Sequence, residues 1–165
     1  MNRIASGQAR AVADMAGGLI LASVEIAAPP ERVFQALTSK EIVDWWVNPG
    51  VFDTKEWAGD VRVGGRWRSS GLVRGEPYAL EGEYLEVDPP KKLVHTWQRF
   101  GVPGRATTVT YLLEPVPDGT RITLRHTGFP AHGPFAGTSM GWETSFARLS
   151  EMLEGEQPEK SRAAG

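Results

Sequence analysis

Two histidines and one tyrosine, His95, His126 and Tyr111, are the side chains of this sequence best suited to acid–base or hydrogen-bonding chemistry. Each lies in a segment that alternates apolar and polar residues, namely LVHTW, RITLRH and TTVTYLLE. Alternate side chains of a strand point to the same face, so each polar group shares a face with large apolar neighbours. We predict that the three groups point toward a cavity or its rim. There they could hydrogen-bond a ligand carbonyl or act as acid and base, although a hydrogen-bonded rim histidine is the commoner role.

Six tryptophans give the chain of 165 residues a large aromatic content. Because each buries about 150–250 Å², filling the core is reason enough for Trp67, Trp97 and Trp142, and ligand contact by at least two of them is the alternative. Trp45 and Trp46 are adjacent, about 100° apart on a helix, so we expect one ring at a cavity mouth or at a partner. The predicted ligand-binding residues are Trp45, Trp46, Trp67, Ser69, His95, Trp97, Tyr111, His126, Trp142 and Phe146.

Several chemistries are excluded or disfavoured by the residues present. The chain has no cysteine, which removes disulfides, thiolate zinc sites and a cysteine nucleophile. His126 and His132 have no carboxylate near them in sequence, whereas a zinc site needs three or four ligands. No motif marks a phosphate-binding loop or a serine nucleophile. We therefore predict no metal, no cofactor and no catalytic residue, and we interpret the acidic run at 81–88 as a solvated strand face.

Composition and charge indicate an ordinary globular domain. Hydrophobic residues make up 41% and charged residues 23% of the chain, as in average globular proteins. The formal net charge of −2 supplies no basic field for nucleic acid. No apolar run is long enough for a secretory signal or a membrane span, so we predict a cytoplasmic protein with no nucleic-acid or membrane partner. We expect a flexible leader at 1–18, one domain at 19–154 and a disordered tail at 155–165.

The order of the predicted elements indicates a single α+β architecture. A β-rich strand beginning at residue 19 stops at a proline pair, and two short helices, 30–39 and 40–46, follow it. Period-two segments separated by glycine, proline and aspartate turns then predict an antiparallel meander. An apolar stripe from Trp142 to Leu153 predicts a long final helix. The six predicted strands of the meander span 52–58, 65–74, 78–87, 92–99, 106–114 and 120–127.

Five segments of the chain, taken in order, resemble one known superfamily. They are IAAPPERVFQALTSKEIVDWW, DVRVGGRWR, EGEYLEVDPPKKLVHTW, DGTRITLRHTGF and GWETSFARLSEMLE, which span about residues 20–154. In these segments the chain resembles the START-like, or SRPBCC, superfamily, and within it the family of the homologue of the activator of the 90-kDa heat-shock protein ATPase. The resemblance implies the helix-grip fold, in which a curved antiparallel sheet wraps around a long C-terminal helix and encloses a cavity. Members of the superfamily bind lipids, hormones or polyketides, and a few catalyse cyclisation or condensation.

Three functions are consistent with this architecture. The first is binding of a small hydrophobic or aromatic molecule in the cavity between the sheet and the C-terminal helix. The second is a chaperone-associated interaction protein of the stress response, or a homodimer, for which an exposed apolar patch with Trp45 or Trp46 in the open is expected. The third is an acid–base enzyme, such as a cyclase or hydrolase, that uses the same cavity. A cavity filled by the protein's own side chains would remove the first and third hypotheses.

Overall fold

The computed structural model describes residues 9–14, 18–99, 106–128 and 135–156. These residues form nine strands and three helices. The last helix is the longest, with 20 residues and a length of about 30 Å. In chain order the elements are β1 (Arg10–Asp14), β2 (Leu19–Ile26), α1 (Pro30–Leu37), α2 (Ile42–Trp45), β3 (Val47–Asn48), β4 (Phe52–Gly59), β5 (Arg66–Val73), β6 (Glu76–Asp88), β7 (Lys92–Arg99), β8 (Thr107–Val116), β9 (Gly119–Thr127) and α3 (Phe135–Glu154).

The strands of the described chain belong to one antiparallel sheet, in the order β1-β2-β9-β8-β7-β6-β5-β4-β3. From β3 to β9 each strand pairs with its neighbour in sequence, so most of the sheet is a meander. Strands β2 and β9, which are far apart in sequence, also pair, with Leu19 opposite Thr127 and Ile26 opposite Thr120. Helix α3 packs against β2 and β1, while α1 lies against β8 and β9. The predicted helix-grip fold is confirmed.

Turn chemistry sets the strand ends, as the alternating pattern predicts. The six predicted strands of the meander are confirmed as β4 to β9, with ends shifted by at most two residues. Between β5 and β6 the chain turns at Arg74 and Gly75, whose φ angles are 49° and 84°. Both residues lie in the left-handed region, as in the type I′ turn of a two-residue hairpin. The hairpin closes with Val73 opposite Glu76, which is why β6 begins two residues before the predicted strand.

The helices bury the apolar faces that their sequences predict. In α1 the side chains of Val33, Phe34 and Leu37 are buried, and its first residue is a proline, which loses no hydrogen bond at that position. The apolar stripe of α3 is fully buried from Trp142 to Leu153. None of the helices in the described ranges has the length and apolarity that crossing a membrane requires.

The described structure extends beyond both predicted ends of the domain. Residues 10–14, within the predicted flexible leader, form β1 and pair along their whole length with β2. The leader prediction is corrected for these residues, because an alanine-rich segment has little strand preference of its own and tertiary pairing decides its structure. At the other end, Arg32 of α1 donates hydrogen bonds to the carboxylate of Glu156. Residues 1–8, 15–17 and 157–165 lie outside the described residues.

Candidate functional site

The inner face of the sheet carries the side chains that strand alternation predicts. Trp97 lies two residues after His95 in the inward row of β7 and is half-buried. Trp67 and Ser69 of β5 are buried on the same side of the sheet. Polar and aromatic groups from four strands therefore face one interior surface. The buried inward residues of β7, β8 and β9 are Leu93, His95, Thr107, Val109, Tyr111, Leu113, Thr120, Ile122, Leu124 and His126.

A cluster of tryptophan rings fills the space between this surface and the helices. The ring centroid of Trp46 lies 4.6 Å from that of Trp142 and 5.3 Å from that of Trp97. Trp97 and Trp142 are themselves 5.6 Å apart. Tilted and edge-on rings at such separations attract one another by about 0.5–1.5 kcal/mol per pair beyond the area that they bury. The cluster is thus a rigid wall shared by α2, β7 and α3.

Both rings of the Trp45–Trp46 pair pack into the aromatic cluster, with Trp45 buried and Trp46 half-buried. Trp45 is 2% exposed and donates its Nε1–H to the carbonyl of Ala36 over 2.9 Å. Trp46 directly follows α2 with φ −84° and ψ 66°, so it has already left helical geometry. The 100° separation of neighbouring residues on a helix therefore does not apply. This departure turns the second ring toward Trp97.

A small inner cavity lies between the tryptophan cluster and the sheet. Its volume is about 40 Å³, enough for water but far below the 300–1,000 Å³ of typical ligand sites. The predicted ligand-binding residues that border this cavity leave little room between them. Two of that set, His126 and Phe146, do not line the cavity. Those that do are Trp45, Trp46, Trp67, Ser69, His95, Trp97, Tyr111 and Trp142.

His126 is held by hydrogen bonds on both ring nitrogens. Trp142 donates its Nε1–H to Nδ1 of His126 over 3.1 Å, and an indole nitrogen can only donate. Nδ1 must therefore accept, and Nε2 carries the proton and donates to Thr107 Oγ1 over 2.6 Å. Thr107 donates in turn to the carbonyl of Trp97 over 3.2 Å. Burial, followed by the nearby His95, lowers the pKa of His126 to about 3, so the ring is neutral and supports the fold.

His95 is oriented by the backbone of its own strand. Its Nδ1 lies 2.8 Å from the carbonyl oxygen of Thr96, so this nitrogen carries the proton. Trp67 donates its Nε1–H to the same carbonyl over 3.1 Å. A Cβ on Gly82 would lie 2.3 Å from that indole nitrogen. Glycine is therefore required for the indole of Trp67 to reach the carbonyl of Thr96. Burial lowers the pKa of His95 to about 4, although the bond to Thr96 opposes the shift.

The histidines and tyrosines in and beside the inner cavity are uncharged at neutral pH. Both histidines have pKa values far below 7. Burial raises the pKa of Tyr84, and burial followed by the charge of Tyr84 raises that of Tyr111. These groups can therefore donate and accept hydrogen bonds, but none of them is poised near pH 7 for proton transfer. Within the described residues no cluster of three or more acidic or histidine side chains could hold a metal ion.

A larger outer cavity of about 510 Å³ opens beside the inner one. Trp46, Leu80 and Trp97 line both cavities and separate them. Of the predicted ligand-binding set, Trp46 and Trp97 border this space. Its remaining walls come from β4, the β5–β6 hairpin, β7 and α3. The outer cavity is lined by Trp46, Val51, Phe52, Val73, Arg74, Glu76, Pro77, Tyr78, Ala79, Leu80, Trp97, Arg99 and Gly141.

Sequence reasoning missed most of this lining, although one signal pointed to it. Tyr78 and Leu80 lie two residues apart on β6, in the same alternating row as Tyr84, and all three line one of the cavities. Arg99 is likewise the next residue after Trp97 in the inward row of β7. The rows thus continue past the inner cavity, and their continuation forms the outer one.

A hydrogen-bond chain fixes Trp46 between the two cavities. Thr54 Oγ1 donates to the carbonyl of Trp46 over 2.7 Å. Because the single hydroxyl proton of Thr54 is used there, the hydroxyl of Tyr78 donates to Thr54 across 3.0 Å. Burial raises the pKa of Tyr78, partly offset by the hydroxyls of Thr54 and Ser69. These hydrogen bonds join the end of α2 to β4 and β6. They hold the backbone of Trp46, whose ring lies between the two cavities.

The comparison with known proteins agrees with this architecture. A family model described as Activator of Hsp90 ATPase homolog 1-like protein matches residues 27–154. The chain belongs to this family. A search of the curated proteins finds no match to the chain.

Solved structures similar to this member of the Activator of Hsp90 ATPase homolog 1-like family come from several bacteria. A protein from Chromobacterium violaceum is 29% identical with a TM-score of 0.75, and the match covers 83% of this chain and 97% of that one. A Nitrosomonas europaea protein is 26% identical with a TM-score of 0.73, over 88% and 99% of the two chains. A Mycobacterium smegmatis protein, at 21% identity, shares the fold with a TM-score of 0.76 over 87% and 94%. The predicted START-like superfamily is confirmed.

The exposed tryptophan that the interaction hypothesis expects is not found among the described residues. Trp45 is buried and Trp46 is half-buried within the aromatic cluster. The exposed large apolar side chains are spread over five strands and one loop. They are Val12, Leu21, Val63, Leu72, Val73, Leu85 and Leu112.

Proposed function

We propose that this protein binds a small hydrophobic or aromatic molecule, and that the binding site is the outer cavity. The observation that carries the proposal is the volume of about 510 Å³, which falls within the range of small-molecule sites. The inner cavity, at about 40 Å³, is too small for this role. The proposed site is therefore displaced from the position between sheet and helix expected from sequence, toward the β5–β6 hairpin.

The walls of the outer cavity favour a flat apolar ligand. Phe52 and Trp46 stand with their ring centroids 5.3 Å apart, and Trp97 closes the inner end. Aromatic walls bury large area with few rotatable bonds, so little conformational entropy is lost when a ligand contacts them. Tyr78 and Leu80 complete an apolar surface with one hydroxyl at its edge.

The charge states near the site support binding over acid–base catalysis. His126 uses both ring nitrogens within the fold, and it does not line either cavity. His95 and Tyr111 line the inner cavity but are neutral around pH 7, because burial shifts their pKa values away from it. A ligand in the outer cavity would lie beyond Trp46 and Trp97, which separate it from these groups.

Gly141 offers a direct test of the site. A Cβ at this position would lie 3.5 Å from Cε1 of Phe52, an ordinary contact, so Gly141→Ala should fold and leave the cavity open. The larger side chain of Gly141→Leu should extend into the cavity. We expect the neutral fluorophore N-phenyl-1-naphthylamine to bind wild type and Gly141→Ala, and to bind Gly141→Leu at least about tenfold more weakly. Equal affinity for the alanine and leucine variants would refute the outer cavity as the site.

Native mass spectrometry of freshly purified protein supplies a second test. A mass above that of the denatured chain would reveal a retained molecule, and we expect it to be absent from Gly141→Leu. Thermal unfolding of each variant checks that the leucine variant is folded. A retained molecule that persists in a folded Gly141→Leu would place it outside the proposed site.

A further inference from the structure

Two arginines border the mouth of the outer cavity, Arg74 on the β5–β6 turn and Arg99 at the end of β7. Both are exposed. Neither forms an ion pair with another residue in the part of the chain that the structure describes. The described lining contains one carboxylate, that of Glu76. In a chain with a net charge of −2, this mouth is locally cationic.

The backbone at Arg74 does not explain why an arginine stands there. Its φ of 49° is left-handed, a region that disfavours residues with a Cβ by roughly 1–2 kcal/mol. The first central position of a type I′ turn prefers asparagine, aspartate or glycine. A strained non-glycine residue beside a binding cavity is a reason to look for a role of its side chain.

The position of Arg99 on its strand is also unusual for an arginine. It follows His95 and Trp97 in the inward row of β7, and it lies opposite Leu80 of β6. Inward positions of this sheet are otherwise mainly apolar or aromatic. The row changes from apolar to cationic at the point where it leaves the tryptophan cluster and reaches the mouth of the outer cavity.

Resting on the proposed function, we propose that the ligand of the outer cavity is an organic anion. Its apolar body would lie against Trp46, Phe52 and Trp97, and its carboxylate or similar group would reach the mouth between Arg74 and Arg99. Guanidinium groups bind planar anions through paired, charge-assisted hydrogen bonds. The inner end of the site offers no compensating cation, so a charged group is expected at the mouth alone.

A matched pair of ligands tests this inference. 2-Naphthoate and 2-naphthamide share one ring system and differ in charge, and isothermal titration calorimetry measures both. At low salt we expect wild type to bind 2-naphthoate about tenfold more tightly than 2-naphthamide. Two partly exposed charge-assisted contacts would give a difference of this size. The preference should shrink as NaCl is raised from about 0.05 to about 0.5 M, because salt screens exposed charges.

Variants at the mouth locate the effect. The double variant Arg74→Asn, Arg99→Gln should bind both compounds with the affinity that wild type shows for 2-naphthamide. Arg125→Gln removes the same charge from an exposed position on β9 and should leave the preference unchanged. Because asparagine suits the left-handed turn position, Arg74→Asn should unfold at or above the wild-type temperature, which separates lost affinity from lost folding.

Each remaining outcome is decisive. Equal binding of the two compounds to wild type would overturn the anion preference while leaving the proposed function intact. A preference that survives in the double variant would overturn the assignment to Arg74 and Arg99. If neither compound nor N-phenyl-1-naphthylamine binds wild type, the proposed function fails and this inference fails with it.

Discussion

Acidification from pH 7.5 to pH 5.0 should weaken the fold through its two buried histidines. The pKa of His126 is about 3 and that of His95 about 4 in the folded chain, against about 6.5 when unfolded. At a pH between the folded and the unfolded pKa values, the histidines are protonated in the unfolded chain and neutral in the folded chain. The contribution of the two histidines to the free energy of unfolding is therefore fully present above pH 6.5, and it is lost as the pH drops toward 4 and 3. Between pH 7.5 and pH 5.0, linkage gives a loss of stability of about 2 kcal/mol per histidine.

The substitution His126→Asn isolates one share of that loss. Asparagine does not titrate, and its side-chain oxygen can accept the indole N–H of Trp142 in place of Nδ1. Urea unfolding followed by tryptophan fluorescence, at both pH values and constant ionic strength, gives the free energy of unfolding. We expect the variant to be less stable than wild type at pH 7.5. Its further loss on acidification should be smaller than that of wild type by about 2 kcal/mol.

A matched variant controls for the carboxylates, which titrate in every form of the protein. His95→Asn should reduce the acid-dependent loss by a similar amount, because both rings are buried and neutral. The double variant should then lose the least. If His126→Asn and wild type lose the same free energy between pH 7.5 and pH 5.0, His126 is not held neutral as its two hydrogen bonds imply.

Three further substitutions test other parts of the structure by thermal or urea unfolding. Gly82→Ala should destabilise by about 3 kcal/mol, because its Cβ would lie 1.9 Å from the carbonyl oxygen of Thr96; near-neutrality would contradict the close approach. Gly141→Ala should stabilise by about 0.5–1 kcal/mol, since alanine restricts the unfolded chain and its Cβ makes only an ordinary contact with Phe52; a loss would show that this contact is tighter than described. Arg32→Met should cost about 1 kcal/mol, less at high salt, because it removes the hydrogen bonds that α1 makes to Glu41 before α2 and to Glu156 just after α3.

Strand positions and faces were predictable because they depend on local pattern. The inward row of Leu93 and His95, and that of Val109 and Tyr111, follow from a period of two and hold whatever the neighbouring strands do. Turn residues fixed the ends of the meander to within two positions. The family resemblance then supplied the arrangement of sheet and helix, which periodicity alone could not.

The position and size of the cavities could not be predicted, because they depend on how side chains from distant elements fit together. Six tryptophans indicate either a filled core or an aromatic-lined site, and the sequence does not distinguish the two. The bend at Trp46, which brings its ring between Trp97 and Trp142, arises where α2 ends after one turn. No pattern of residue types specifies that angle.

The role of His126 was hidden for a similar reason. Its two partners, Thr107 and Trp142, come from β8 and α3, 19 and 16 residues away in sequence. Alternation placed the ring inside correctly. The hydrogen bonds that make it a structural element, not a proton-transfer group, exist only once three elements have assembled.

The pairing of β2 with β9 determines the order in which this chain can assemble during synthesis. Residue 19 must wait for residue 127, its partner in the sheet, whereas β3 to β9 can close as successive hairpins once each has emerged. Long-range pairings of this kind slow folding, because chain entropy is lost before the contacts form. The apolar face of β2, with Ile20 and Val24, stays exposed on the nascent chain throughout that delay. Strand β2 is thus the segment on which a holding chaperone would act and from which misassembly would begin.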